Sequence, residues 1–184
     1  MKKSPAIFTI QLILSLIGIA FFLLFGMFFY HQRDNETISK GFAEQLYTYP
    51  APPDTKLLSK QQVNGKQVVP GNGGYWGVIA SVHYSTTLSP NEILTYYEKA
   101  SMFQYPNSQR KGVELELYMV PNTKKVFSSK GNYYEHKTRG RLPISLYKRN
   151  PSLLSDSNQY AQSHPSWDYV IQLTSDFDYA LNFN

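Results

Sequence analysis

The side chains of this chain that could do chemistry include four histidines, and their spacing forms no known catalytic pattern. They are scattered singly, so no two have the i, i+4 spacing of a helical zinc pair: His31, His83, His136 and His164. His164 could gather with Asp156, Asp168 and Ser163 into a triad, but no G-x-S-x-G nucleophile elbow accompanies the serine. We therefore predict no catalytic residue, no metal site and no cofactor.

Two pairs of carboxylates have the spacing of residues on one side of an extended chain. Asp176 and Asp178 form one pair, and Glu114 and Glu116 form the other. Such a pair could contact a divalent cation through its oxygens. We expect both pairs to be solvated, the first near the C-terminus and the second on the water-facing side of a strand.

A glycine-rich stretch at 71–77 could cradle a phosphate through its backbone N–H groups. It lacks the lysine and hydroxyl of a Walker motif, and Trp76 takes the place of the third glycine of a dinucleotide fingerprint. A hairpin connection or a bulge is the simpler interpretation.

Charge is unevenly distributed in the second half of the chain. Residues 110–149 contain ten basic and three acidic side chains, whereas residues from 150 onward contain four aspartates and no base. Five bases form a possible surface for an anionic polymer, lipid head groups or an acidic protein: Lys137, Arg139, Arg141, Lys148 and Arg149. A solvated surface whose two halves balance is the alternative. No nucleic-acid-binding motif is present, so nucleic acid is not an expected partner.

The element that must place these residues is an apolar segment near the N-terminus. Residues 6–30 contain no formal charge and would span roughly 38 Å as a helix, against a hydrocarbon core of about 30 Å. No small-x-small cleavage site follows, and Tyr30 has the position of an interfacial aromatic residue. We predict a retained transmembrane helix at 6–30 after a cytoplasmic tail at 1–5.

Flanking charges give the expected orientation. Lys2, Lys3 and the terminal amine precede the helix, against Arg33 and Lys40 after it, so the positive-inside rule favours a cytoplasmic N-terminus by one charge. The absence of cysteine suits an exported domain and excludes disulfides and thiolate metal sites. We expect a single-pass plasma-membrane protein with its C-terminal domain outside the cytoplasm.

A helical stalk is predicted at 31–49, because Ile38, Phe42 and Leu46 recur on one helical face. Three prolines then stop the helix at Pro50, Pro52 and Pro53. The remaining residues, 50–184, are enough for one domain with its own core.

Periodicity within 50–184 predicts an α+β fold with a largely antiparallel sheet and one packed helix. Asn64-Gly65 indicates a hairpin turn, and Ser89 with Glu92 forms a capping box for a helix at 90–102. Alternation predicts four further strands, with a surface loop at 150–166 between the last two: 76–85, 113–119, 142–146 and 167–173.

Three features follow one another in residues 45–99: the junction Tyr49-Pro50-Ala51-Pro52-Pro53-Asp54-Thr55, a Gly-Asn-Gly loop, and Leu88-Ser89-Pro90-Asn91-Glu92-Ile93-Leu94-Thr95-Tyr96-Tyr97. In these features the chain resembles a loose group of single-pass proteins from Gram-positive bacteria. The resemblance implies a membrane anchor, export and a small α+β domain, and it implies no catalytic residue.

The leading functional expectation is a membrane-tethered binding or accessory module rather than an enzyme. An envelope-acting hydrolase with a site around His164 is one alternative. A structural subunit of a membrane complex is the other, although the apolar helix has no small-xxx-small pair to favour assembly.

Overall fold

The computed structural model describes residues 5–66 and 75–178. The chain divides into two compact units, Met1–Thr37 and Ile38–Asn184. A 43-residue helix, α1, runs from Pro5 to Tyr47. Every side chain from Leu12 to Tyr30 is exposed, and α1 is long and apolar enough to cross a membrane by length and composition. An uncovered apolar helix of this kind fits a membrane anchor or a signal sequence.

The last turns of α1 belong to the second unit. Phe42, Ala43 and Leu46 are buried, and Phe42 is only 2% exposed. The helix predicted at 31–49 therefore forms, but its apolar face packs into the domain core instead of forming a free stalk. The compact domain begins at Ile38 and not at residue 50.

Eight strands lie in the described part of the second unit. They are, in chain order, β1 (Thr55–Lys66), β2 (Tyr75–Thr86), β3 (Phe103–Gln104), β4 (Lys111–Val113), β5 (Glu116–Met119), β6 (Thr123–Ser128), β7 (Gly131–His136) and β8 (Trp167–Asp178). The helices are α2 (Pro90–Tyr97), α3 (Ile144–Arg149), a 3-10 turn (Pro151–Leu154) and α4 (Ser155–Ser163).

The main sheet has four strands in the order β1-β2-β8-β5, and every pairing in it is antiparallel. Two smaller antiparallel pairs, β3-β4 and β6-β7, complete the β-structure of the described residues. The predicted α+β class with a largely antiparallel sheet is confirmed. The strands predicted at 76–85 and 167–173 are β2 and β8, and both extend beyond the predicted bounds.

The capping box of α2 is confirmed, since the Ser89 hydroxyl accepts from the Glu92 N–H and the Glu92 carboxylate accepts from the Ser89 N–H. The helix ends at Tyr97, five residues before the predicted end at Met102. Its buried side chains include Ile93, Leu94 and Tyr97.

The hairpin predicted at Asn64-Gly65 is wrong. Both residues lie inside β1, where Asn64 pairs with Val78 and Gly65 with Gly77. The long register with β2 outweighs a turn preference that is only local. Residues 71–74 of the glycine-rich stretch lie outside the described residues, and Tyr75–Gly77 belong to β2.

Three predictions between 113 and 166 need correction. The strand at 113–119 is split into β4 and β5, and Glu116 is buried instead of facing water. The strand at 142–146 is replaced by α3, since only Pro143 forms an isolated bridge, to Glu116. The predicted loop at 150–166 contains the 3-10 turn and α4.

Candidate functional site

A fully buried carboxylate lies where β5 and β8 pair. Glu116 is 0% exposed and lies opposite Gln172 in the sheet register. Its Oε2 accepts hydrogen bonds from Tyr118 Oη at 2.7 Å, Gln172 Nε2 at 2.9 Å and Thr174 Oγ1 at 3.1 Å. Burying an ionised carboxylate is costly unless it is paired and hydrogen-bonded, and these three donors meet part of that requirement.

The β6-β7 hairpin covers this side of the sheet and shields it from solvent. The Gln172 side chain accepts from the Tyr134 N–H at 3.0 Å and donates to the Tyr134 carbonyl at 3.2 Å. Tyr134 belongs to β7, so the hairpin lies over the sheet face that carries Gln172 and Glu116. Burial, and then the nearby Glu116 charge, raise the pKa of Tyr118, which keeps its hydroxyl protonated and able to donate.

Arg141 supplies the countercharge. Its Nε donates to Glu116 Oε1 at 2.6 Å, and its Nη2 pairs with the same oxygen and donates to the Thr174 carbonyl at 3.2 Å. The Arg141 side chain is 54% exposed although its partner is fully buried. The guanidinium therefore connects the buried network to solvent.

Backbone contacts fix the segment that carries Arg141. His136 and Gly140 exchange two backbone hydrogen bonds, and Gly140 has a φ of 70°, a left-handed conformation that glycine adopts without strain. On the other side, the Leu117 N–H donates to the Leu142 carbonyl at 3.0 Å. Arg141 is thus held between a tight turn and the edge of β5.

The exposed side of Arg141 faces a cleft of about 450 Å³. Its lining includes Tyr105, Gly112, Glu114, Arg141, Thr174 and Asp176. Glu114 does not face water freely, because its carboxylate accepts from the backbone N–H and the hydroxyl of Ser145 in the first turn of α3. Asp176 is exposed.

Tyr105 forms one wall of this cleft and depends on a glycine. A Cβ atom at Gly112 would lie 2.6 Å from Tyr105 Cε2 and 2.7 Å from its hydroxyl oxygen. Only glycine admits the ring in this position. The Tyr105 N–H donates to the Arg110 carbonyl at 3.0 Å, which closes the loop between β3 and β4.

The same tyrosine also lines a second recess, of about 360 Å³, with Gln45, Gln104 and Ser108 among its lining residues. The Gln45 side chain bonds both the N–H and the carbonyl of Gln104, at 2.9 and 3.3 Å. These bonds tie the end of α1 to β3. Tyr105 therefore stands between two neighbouring recesses.

The five predicted bases are all exposed: Lys137, Arg139, Arg141, Lys148 and Arg149. Arg141 differs from the others because it lies in the cleft and is paired with Glu116. Arg149 contacts Ser145 within α3. An anionic polymer or acidic protein bound by these bases stays a prediction.

The residues of the possible catalytic triad do not all come together in the structure. His164 stacks on Tyr160 with ring centroids 3.9 Å apart, and its Nδ1 lies 3.1 Å from Ser163 Oγ. Asp168 instead pairs with His83 at 3.2 Å, and Asp156 accepts from the Asn122 amide at 2.9 Å. Within residues 5–66 and 75–178, no three His, Cys, Asp or Glu side chains form a group that could hold a metal ion.

Sequence reasoning missed the Glu116 network and the Tyr105 wall. The signal for the first was the polar pair Gln172 and Thr174, which alternates with apolar residues in the middle of β8 and lies beside Glu116 on the neighbouring strand. The Tyr105–Gly112 contact joins two residues across the β3-β4 loop and leaves no comparable pattern in the sequence.

Comparison of the chain with protein-family models, with curated proteins and with solved structures finds no match. The functional assignment therefore depends on the geometry of the Arg141 cleft and on the apolar part of α1.

Proposed function

We propose that this protein is a membrane-tethered binding module, with the unit Ile38–Asn184 outside the cytoplasm and the Arg141 cleft as its binding site. The observation that carries the proposal is the contrast between the two units. The apolar side chains from Leu12 to Tyr30 are exposed, whereas the second unit buries a core of its own. Water is a poor solvent for so much apolar surface, at about 25 cal/mol per Å², and a bilayer would remove it from water.

The cleft supports binding rather than catalysis. A buried ion pair is weak evidence for stability, since apolar side chains of similar size often serve as well. Here the buried Glu116 fixes the direction of an exposed guanidinium, as expected for a group that contacts a ligand. Among the carboxylates that line the cleft, Glu114 is already hydrogen-bonded to Ser145 in the first turn of α3.

The alternatives have less support. A hydrolase around His164 would need Asp156 or Asp168 to orient the imidazole, and each aspartate contacts a different residue. Assembly into a membrane complex has no specific contact in its favour among the described residues.

The placement can be tested with single cysteines because the chain contains none. Lys130 is exposed between β6 and β7, which makes Lys130→Cys a suitable labelling site. A membrane-impermeant maleimide should label this variant on intact cells, and the cysteine-free parent is the matched control. Labelling only after permeabilisation would contradict the proposed orientation.

The anchor needs a separate measurement. After an alkaline carbonate wash, the full chain should stay in the membrane pellet, and its N-terminal peptide should still contain the segment 12–30. A mature product that begins beyond Tyr30 and washes off the membrane would identify the segment as a cleaved signal sequence.

A further inference from the structure

We propose that the Arg141 cleft and the adjoining recess bind the N-acetylated sugar units of a neutral glycan. This inference rests on the proposed function for its setting, because it assumes that the cleft is a binding site. It is carried by three features of the site: a lining in which carboxylates outnumber cations, an exposed tyrosine ring and solvent-exposed polar groups that complement an amide.

The charge of the cleft disfavours an anion. Glu116 balances Arg141 through a direct ion pair, and Asp176 adds a carboxylate with no ion pair among the described residues. Glu114 brings another negative charge to the lining. An anionic ligand would approach two carboxylates and a cation that is already neutralised, so an anionic ligand is disfavoured.

Tyr105 offers a surface for a sugar ring. Tyr105 is 40% exposed, and the hydroxyl end of its ring lies close to Gly112. A pyranose presents a face of C–H groups that packs on an aromatic ring, while its hydroxyls point outward to polar side chains. The position of Tyr105 between recesses of about 450 and 360 Å³ allows one sugar on each side. Both volumes lie in the range of about 300 to 1,000 Å³ for small-ligand sites.

The polar groups of the cleft match an acetamido substituent. Arg141 uses Nε and Nη2 for Glu116 and Thr174, so its Nη1 has no hydrogen-bond partner within the described part of the chain. This nitrogen can donate to an amide carbonyl, and the Asp176 carboxylate can accept from an amide N–H. In the second recess, the side-chain amides of Gln104 and Gln109, which contact each other at 3.4 Å, add donors and acceptors for hydroxyl groups.

The test uses the full chain in detergent micelles and fluorescein-labelled chitotetraose, a neutral oligomer of an N-acetylated sugar, followed by fluorescence anisotropy. We expect saturable binding that unlabelled chitotetraose competes away and that persists at about 0.5 M salt, where exposed charge interactions are screened. Cellotetraose, which lacks the acetamido groups, should compete more weakly.

Variants identify the site. Tyr105→Ala should weaken binding about 3- to 10-fold, the loss expected for one aromatic contact, whereas Tyr105→Phe should bind nearly as the parent does. Gly112→Ala should weaken binding as well, because its Cβ displaces the ring. Phe127→Ala removes a ring that is 76% exposed on the β6-β7 hairpin, outside the cleft lining, and should change nothing.

Two results would overturn the proposal. One is no saturable binding of chitotetraose, and the other is binding that is equal in Tyr105→Ala and in Phe127→Ala. If polyglutamate binds instead and Arg141→Ala abolishes this, the cleft is a binding site but its ligand is anionic. Failure with chitotetraose while Lys130→Cys is labelled on intact cells rejects the glycan and leaves the placement standing. Failure of that labelling rejects the placement itself.

Discussion

Arg141, whose side chain is half exposed, donates its Nε–H to the fully buried carboxylate of Glu116 and forms an ion pair with it through Nη2. The pair joins the interior of the β5-β8 pairing to an open cleft, and Gln172, Thr174 and Tyr118 complete the shell of the carboxylate. Removal of either charged partner leaves the other one unbalanced, so the network stabilises the domain in addition to lining the proposed binding site.

Loss of Arg141 should destabilise the domain. Arg141→Ala leaves a buried carboxylate without its countercharge, and we expect a loss of about 2–3 kcal/mol in the free energy of unfolding, below the ~3–5 kcal/mol of fully buried pairs. Arg139→Ala is the matched control, since Arg139 is exposed and forms no ion pair within the described residues. Urea unfolding of both variants measures the difference, and equal stabilities would refute the role of the pair.

The two halves of α1 should respond differently to the same substitution. Phe42 is buried in the domain core, so Phe42→Ala should cost about 3–5 kcal/mol of domain stability. Phe25→Ala removes a side chain that the rest of the chain does not cover, and it should leave the unfolding of the domain unchanged. Denaturant unfolding followed by the fluorescence of Trp76 and Trp167 reports the domain. A tolerated Phe42→Ala would show that residues near 42 form a free stalk.

The α2 capping box gives a local prediction. Ser89→Ala removes the hydroxyl that accepts from the Glu92 N–H, and helix caps of this type contribute about 1 kcal/mol. Ser101→Ala, at an exposed position beyond α2 without a hydrogen bond from its side chain among the described residues, is the control. Thermal unfolding should separate the two variants, and indistinguishable transitions would argue against the cap.

Acid should weaken the fold through His136. Burial, with the positive charges of Arg139 and Lys137, lowers the pKa of His136, while Asp156 acts in the opposite direction. Its Nδ1 accepts from the Thr138 N–H at 3.3 Å, which requires a neutral ring. A histidine with a lowered folded-state pKa stabilises the fold above its unfolded pKa of about 6.5, and this contribution is lost as the pH falls through the folded-state value.

We therefore expect His136→Asn to lose less stability than the parent does between pH about 7.5 and 5. His164→Asn is the control substitution, since His164 is exposed just beyond the end of α4 and stacks on Tyr160. Urea midpoints at each pH give the comparison. If the stability of the parent rose on acidification, the pH dependence would have the opposite sign to the one expected, and the role of His136 would be refuted.

The sequence predicted the elements whose signals are local and strong. The alternation in β2 and β8 and the Ser89-Glu92 box are such signals, and the apolar face at Phe42 and Leu46 correctly marked a helix. Glu116 was predicted to face water because alternation was interpreted as a strand with one buried face and one solvent-exposed face. In the structure, the β6-β7 hairpin covers the second face as well. The pattern of a single strand carries no information on what another element covers.

The helices between 144 and 163 were missed for a related reason. Leu142, Ile144 and Leu146 alternate as in a strand, but Pro143 is the N-cap of a helix that begins at Ile144, and the Glu114 side chain accepts from the N–H of Ser145 in its first turn. That contact joins residues 31 positions apart. Of the candidate site, the sequence supplied Arg141 as an exposed base, while its buried partner and the Tyr105 wall arise from tertiary packing.

The most direct test of an anchored domain is a single-nitroxide scan along α1 in reconstituted bilayers. We expect positions 12–30 to collide readily with dissolved oxygen and rarely with a water-soluble nickel complex, and we expect positions 42 and 46 to be shielded from both. If the nickel complex reaches positions 12–30 as readily as it reaches a label at position 130, the apolar segment does not lie in the membrane and the account is contradicted.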